Sequence, residues 1–175
     1  LCQKCILLQT SYIVDDKKLY PSDYHYTPGI SKQVLDNFNS FVKKTINLYK
    51  PRNDDLILDI GCNDGSLLSA FKKQGYKNLY GIEPTDTVKI AEKNKIKTIQ
   101  AFFNKNSAEI LKKKAGYPKI ITTTNVFAHS GKLGDYIEGL LKIMNKETVF
   151  IVENHYLSSI LSKNQFDSFY HEHLR

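Results

Sequence analysis

Leu56-Ile57-Leu58-Asp59-Ile60-Gly61-Cys62-Asn63-Asp64-Gly65 decides the architecture. Its first half is an apolar run of strand length, and its second half is a glycine turn. Residues 66–74 then read as a helix, stopped by Gly75. Working downstream, residues 79–82 form a second short strand that ends at Glu83, which Pro84 biases toward an extended backbone. A helix over 85–95, a strand with its exit loop over 96–103, and a helix over 107–115 follow. A β-branched strand over 119–124, a helix over 132–145 and a strand over 148–153 complete the series. Upstream, Val34, Leu35, Phe38, Phe41, Val42 and Ile46 recur at helical spacing behind Ser31, a suitable cap. Strands alternating with helices predict an α/β fold, a mostly parallel twisted sheet with helices on both faces. Ligands of such sheets bind beyond the carboxyl ends of the strands.

The 175 residues, 41% hydrophobic, suffice for one ordinary domain plus shorter segments. No apolar run approaches the ~18 residues a membrane-spanning helix needs. No basic-then-apolar leader precedes the fold, so a cytoplasmic location without a membrane partner is expected. Leu1 is not an initiator methionine, which leaves the natural start open, and the chain stops at Arg175 in what reads as mid-domain. The net charge of +7 is carried almost wholly by scattered lysine, with Arg52 and Arg175 the two arginines. A nucleic-acid site concentrates its charge on one face and favours the arginine fork, so no nucleic-acid partner is expected. A positive field would still attract an anionic small substrate. Cys2 and Cys5 have the spacing of half a four-ligand zinc site. Two thiolates do not close a tetrahedron, so zinc is expected in a full-length protein only. Ile6, Leu7 and Leu8 read as a short strand after that pair.

The glycine loop sits between strand and helix, and Glu83 lies 22 residues after Gly61 at the end of the next strand. A carboxylate there accepts hydrogen bonds from two ribose hydroxyls, which points to an adenosine-type nucleotide. A dinucleotide loop wants G-x-G-x-x-G, whereas this one is G-x-x-x-G with Asn63 at a middle position. The acids Asp59 and Asp64 beside it would repel a pyrophosphate and suit an ammonium and a sulfonium. S-adenosylmethionine (SAM) carries both and is preferred to NAD. Tight-turn glycines with a surface acid are the plainer alternative.

LDIGCNDGSLL, GIEP, NVFAH and FYHEH, in this order, resemble the SAM-dependent C-methyltransferases of nucleotide-linked deoxysugars. Those enzymes have an N-terminal zinc-binding segment, a Rossmann-like class I methyltransferase domain and a C-terminal domain. The resemblance covers nearly the whole chain, although the first cysteine pair and the C-terminal domain are absent from it. It implies that Gly61, Asn63, Gly65 and Glu83 surround SAM, with Phe102 near the adenine. It implies His173 as the base, with Glu172 and Tyr170 beside it, and brings Asn125, His129 and Tyr26 toward the sugar and the SAM methyl. A nucleotide-linked sugar is the implied substrate.

The residues suit that chemistry. A carbon beside a ketone becomes a nucleophile only when a base removes its proton and a donor holds the enolate oxygen. Phe169-Tyr170-His171-Glu172-His173 is dense in titratable groups, and His129 follows the fourth strand at the ligand edge. Tyr24 and Tyr26 lie in an upstream loop that can cover this edge. His173 is therefore the expected base and Tyr26 or His129 the enolate donor. Spacing alone does not order these roles, and a solvated charged turn is the plainer reading of the histidine cluster. His25 and His155 read as ordinary polar residues, and Asp135 and Glu138 as helix surface. The expected organisation is a zinc-segment remnant (1–12), a loop over the site (13–30), a SAM-binding domain (31–155) and the start of a substrate segment (156–175). An O- or N-methyltransferase, or a non-catalytic nucleotide-binding module, are the alternative functions; oligomeric state is not readable.

Overall fold

The computed structural model describes residues 2–4, 6–24 and 26–165. Among them, five strands form one parallel sheet: β1 (Ile57–Ile60), β2 (Leu79–Glu83), β3 (Lys97–Gln100), β4 (Ile120–Thr124) and β5 (Val149–Glu153). Their order is β3-β2-β1-β4-β5. The chain moves outward from β1 in one direction through β2 and β3, then crosses to the other side for β4. A crevice opens where the direction reverses, beyond the ends of β1 and β4.

Alternation along the strands splits the core into two layers. Ile57 and Ile120 point to one face, where Val42, Leu67, Leu68 and Phe71 cover them. Leu58, Ile60 and Ile121 point to the other, against Leu111, Leu140 and Ile143. The first layer comes from α2 (Lys32–Tyr49) and α3 (Ser66–Lys73), the second from α5 (Lys105–Ala115) and α6 (Leu133–Ile143). Burying a side chain of this size is worth about 2 kcal/mol, so β1, buried on both faces, is the element the fold can least afford to lose. Ser31 caps α2 as expected, accepting from the Val34 N–H.

Several boundaries differ from the sequence reading. The helix expected over 85–95 is the shorter α4 (Val88–Lys93), because Thr85 folds back to bond Glu83. The strand expected over 96–103 ends at Gln100. Ile6, Leu7 and Leu8 form no strand and are exposed. The short helices α1 (Asp16–Leu19) and α7 (Leu157–Ser162) were not expected. No helix among the described residues is long and apolar enough to cross a membrane.

Candidate active site

The glycine loop is held by main-chain geometry. Gly61 has φ +74°, and its N–H donates to the Ile82 carbonyl at 2.8 Å. A Cβ at Gly61 would overlap the Val126 side chain, which comes from the exit of β4. Glycine is thus required here by the protein's own packing, whatever the ligand. Gly65 has φ +76° and opens α3, and a Cβ there would meet Ala91 Cβ at 2.9 Å. Gly65 sets how closely α4 approaches and does not line the cavity described below.

Asp64 departs from expectation. Its Oδ2 accepts from the Gly29 N–H at 2.8 Å and its Oδ1 from the Ser66 N–H at 3.0 Å. The carboxylate is buried in this turn and lies outside the cavity lining, so it pins the upstream segment to the loop. Of the two loop acids, Asp59 is the one that reaches the cavity. It is 2% exposed, and the Thr122 hydroxyl donates to its Oδ1 at 2.8 Å. Burial, opposed by the Thr122 hydrogen bond and aided by the nearby Glu83 charge, pushes its carboxyl up to about 7. Burial also pushes the Cys62 thiol well up, which keeps it unreactive.

Glu83 stands at the end of β2, 6% exposed, and its carboxylate ties that end to the glycine loop after β1. Its Oε2 accepts from the Asn63 N–H at 3.1 Å. Its Oε1 accepts from the Thr85 N–H at 3.0 Å and the Thr85 hydroxyl at 2.7 Å. A carboxylate offers about four lone-pair positions, so one remains on Oε2. The Thr85 hydroxyl also lies 2.7 Å from the Thr87 hydroxyl. Turning its hydrogen to Thr87 would free a second position, enough for a pair of vicinal hydroxyls. Asn63 adds an acceptor, since its Oδ1 is buried with no hydrogen-bond partner among the described residues.

Glu83 and Asn63 line a cavity of about 1430 Å³. Gly61, Asn63, Glu83, Phe102, Asn125, His129 and Tyr26 all line it, so seven of the expected site residues share one space. Asn125 holds φ +53° at the β4 exit, with its N–H donating to the Glu153 carbonyl at 2.8 Å. The upstream segment forms much of the wall through Tyr12, Tyr20, Tyr24 and Tyr26. The Tyr26 carbonyl accepts from Asn63 Nδ2 at 2.8 Å, and its side chain is 57% exposed. Tyr20 was not anticipated: its hydroxyl lies 2.6 Å from His129 Nδ1. His155, read from sequence as an ordinary polar residue, and Asp135, read as helix surface, also line the cavity. Tyr170, His171, Glu172, His173, Cys5 and His25 lie outside the described residues. Cys2 is partly buried, and no cluster of three metal-binding side chains occurs among the described residues.

A parallel sheet with this order, a glycine loop and an acid ending the second strand define the Rossmann-like methyltransferase class of fold. Residues 32–175 match the family described as "Methyltransferase domain", and the chain belongs to that family. It is 24% identical over 174 residues to the C-methyltransferase NovU of Streptomyces niveus, covering 99% of this chain and 41% of that protein. The chain thus spans less than half the length of this relative. Among solved structures it is similar to a SAM-dependent methyltransferase from Archaeoglobus fulgidus, with TM-score 0.61 and 19% identity over 81% of this chain and 62% of that one. It is also similar to the plantazolicin methyltransferase BpumL in complex with SAH, with TM-score 0.54 and 23% identity over 78% of this chain and 52% of that one.

Proposed function

We propose that the protein is a SAM-dependent C-methyltransferase acting on a keto-deoxysugar carried by a nucleoside diphosphate. The observation that carries this reading is the Glu83 carboxylate bonded to the Asn63 N–H in the lining of a cavity of about 1430 Å³. Pockets for a single drug-sized ligand run to about 1,000 Å³, so this space suits a cofactor and a second molecule. Similarity to NovU, a C-methyltransferase, supports carbon as the acceptor.

Glu83 would take the ribose hydroxyls, with Phe102 against the adenine and Gly61 and Asn63 along the cofactor; Gly65 would act by shaping the loop. Asp59 faces the cavity without a cationic partner among the described residues, and would balance the positive charge of a sulfonium ligand. SAM, when bound, supplies an electrophilic methyl group. The protein's task is to make the acceptor carbon nucleophilic. His173 removes the proton beside the ketone, with Glu172 and Tyr170 orienting it. Tyr26 or His129 donates to the enolate oxygen, and Asn125 shapes the sugar side. Base catalysis of this kind contributes about 10²- to 10⁴-fold.

On this reading residues 31–155 bind SAM, 13–30 cover the site and 156–175 begin the substrate-binding part. Residues 1–12 belong to a zinc segment, in which Cys2 and Cys5 are two of four ligands in a longer, cytoplasmic protein. Calorimetric titration tests the reading with SAM, NAD and a thymidine-diphosphate keto sugar. Binding of SAM and the sugar nucleotide together is expected. Binding of NAD alone, or of none of the three, would refute it.

A further inference from the structure

Asp64 belongs to the glycine loop in sequence and to the upstream segment in space. Its neighbour Gly65 opens α3 but has no side chain, so the helix starts without a cap of its own. Glycine is kept there by φ +76° and by the close approach of Ala91. The Asp64 carboxylate fills the gap. Its Oδ1 accepts from the Ser66 N–H at 3.0 Å, a first-turn donor that the helix itself leaves unpaired. The other oxygen accepts from the Gly29 N–H at 2.8 Å. The fit is close, since a Cβ at Gly29 would stand 2.5 Å from Asp64 Oδ2 and 2.6 Å from Ser66 Oγ. The carboxylate is 5% exposed, so both bonds are sheltered from water and are stronger for it.

Two further hydrogen bonds pin the same segment. Asn63 Nδ2 donates to the Tyr26 carbonyl at 2.8 Å, and the Asp86 N–H donates to the Ser22 carbonyl at 2.8 Å. These three pins run to the loop after β1 and to the residues just past Glu83. Among them the segment carries Tyr24, Tyr26 and Pro28 into the cavity wall. The pin at Gly29 is the charged one, and hydrogen bonds to an ionised group are roughly twice as strong as neutral ones. It also directly follows Pro28, whose ring fixes φ and leaves little slack between pin and wall. We infer that Asp64 is a positioning residue for the substrate: it sets the register of the tyrosine wall against the cofactor loop while lying outside the cavity lining itself. The catalytic meaning rests on the proposed methyl transfer, whereas the docking of the segment does not. An acid that spacing assigns to a cationic cofactor thus serves the sugar.

Two variants of the full chain test this. Asp64→Asn keeps the size but only one accepting oxygen, so one of the two N–H groups loses its partner. Gly29→Ala leaves the carboxylate and the α3 cap in place and drives the segment away by overlap. In either variant the amides of residues 26–30 should exchange with solvent about tenfold faster, while those of β1 and β2 keep their wild-type rates. Affinity for a thymidine-diphosphate keto sugar, titrated calorimetrically with S-adenosylhomocysteine present, should fall about tenfold. Affinity for SAM should stay within about twofold of the wild type. A SAM affinity that falls as far as the sugar affinity, or a sugar affinity unmoved by Gly29→Ala, overturns the inference; Gly29→Ala alone decides if Asp64→Asn does not fold. The same split in exchange rates, in a chain that binds no keto sugar, would instead count against the proposed function alone.

Discussion

The lining around Glu83 and the lining around His129 are built by different means. The Glu83 carboxylate is held by near neighbours, the turn after β1 and the exit of β2, through hydrogen bonds spanning at most 20 positions. The His129 lining is assembled from segments far apart in the chain, and one contact crosses 109 positions. Glu83 is buried and closely bonded; the tyrosine wall contributed by the upstream segment is aromatic and more open, as the exposure of Tyr26 shows. A cofactor common to many enzymes can be held by rigid, local geometry. A substrate peculiar to one enzyme is better met by a segment that can vary without disturbing the sheet.

The largest effect should fall on the Glu83 lining. Glu83→Ala removes both acceptors for the ribose hydroxyls and strands the Asn63 and Thr85 N–H groups. Hydrogen bonds to a charged group are worth about 1.5–3 kcal/mol each, so SAM affinity should drop by at least about 100-fold. Calorimetry on the variant would measure it. Unchanged affinity would mean the nucleoside lies elsewhere and would erase the distinction between the two linings.

That distinction also sets how much was legible in sequence. The order of strands and helices, the glycine loop and Glu83 could be read because their signals are local: an apolar run, a turn and an acid at fixed spacing. The limits of α4 could not, because Thr85 prefers the Glu83 carboxylate to helix geometry. Asp64 carried the same letter as Asp59, yet the main chain claims its oxygens, and only the folded position of Gly29 reveals that. Tyr20 was one tyrosine among several in a polar loop. No periodicity links it to His129, since their meeting follows from how α1 lies on the loop at Gly131. His155 was passed over for the same reason, as a histidine after a strand carries no sign of which cavity it enters.

An intermediate effect concerns Asp59, near Glu83. Its carboxyl is raised from 3.8 to about 7 in the folded chain. The folded state therefore holds this proton more tightly than the unfolded one. The stability it contributes is fully present below pH 3.8 and is lost as pH rises through about 7. Asp59→Asn keeps the acceptor for Thr122 and removes the titration. Urea unfolding across this range should show stability falling less steeply with pH in the variant than in the wild type. Parallel profiles would show that Asp59 is ionised in the folded protein throughout.

The smallest effect should come from the strap between the two linings. Asn63 donates its main-chain N–H to Glu83 and its side-chain amide to the Tyr26 carbonyl, so one residue serves both. Its φ of +49° is one that glycine adopts without strain. Asn63→Gly keeps the bond to Glu83 and cuts the one to Tyr26. Losing a neutral hydrogen bond costs about 1 kcal/mol, and relief at positive φ offsets part of it, so global stability should change little. The amides of residues 20–30 should nevertheless exchange faster with solvent, by up to about fivefold for a local loss of this size, while those of β1 and β2 hold their wild-type rates. Such a split would show that the substrate wall opens separately from the cofactor floor. Equal acceleration in both regions would show a single cooperative unit, and the contrast between the two linings would then be one of composition rather than of stability.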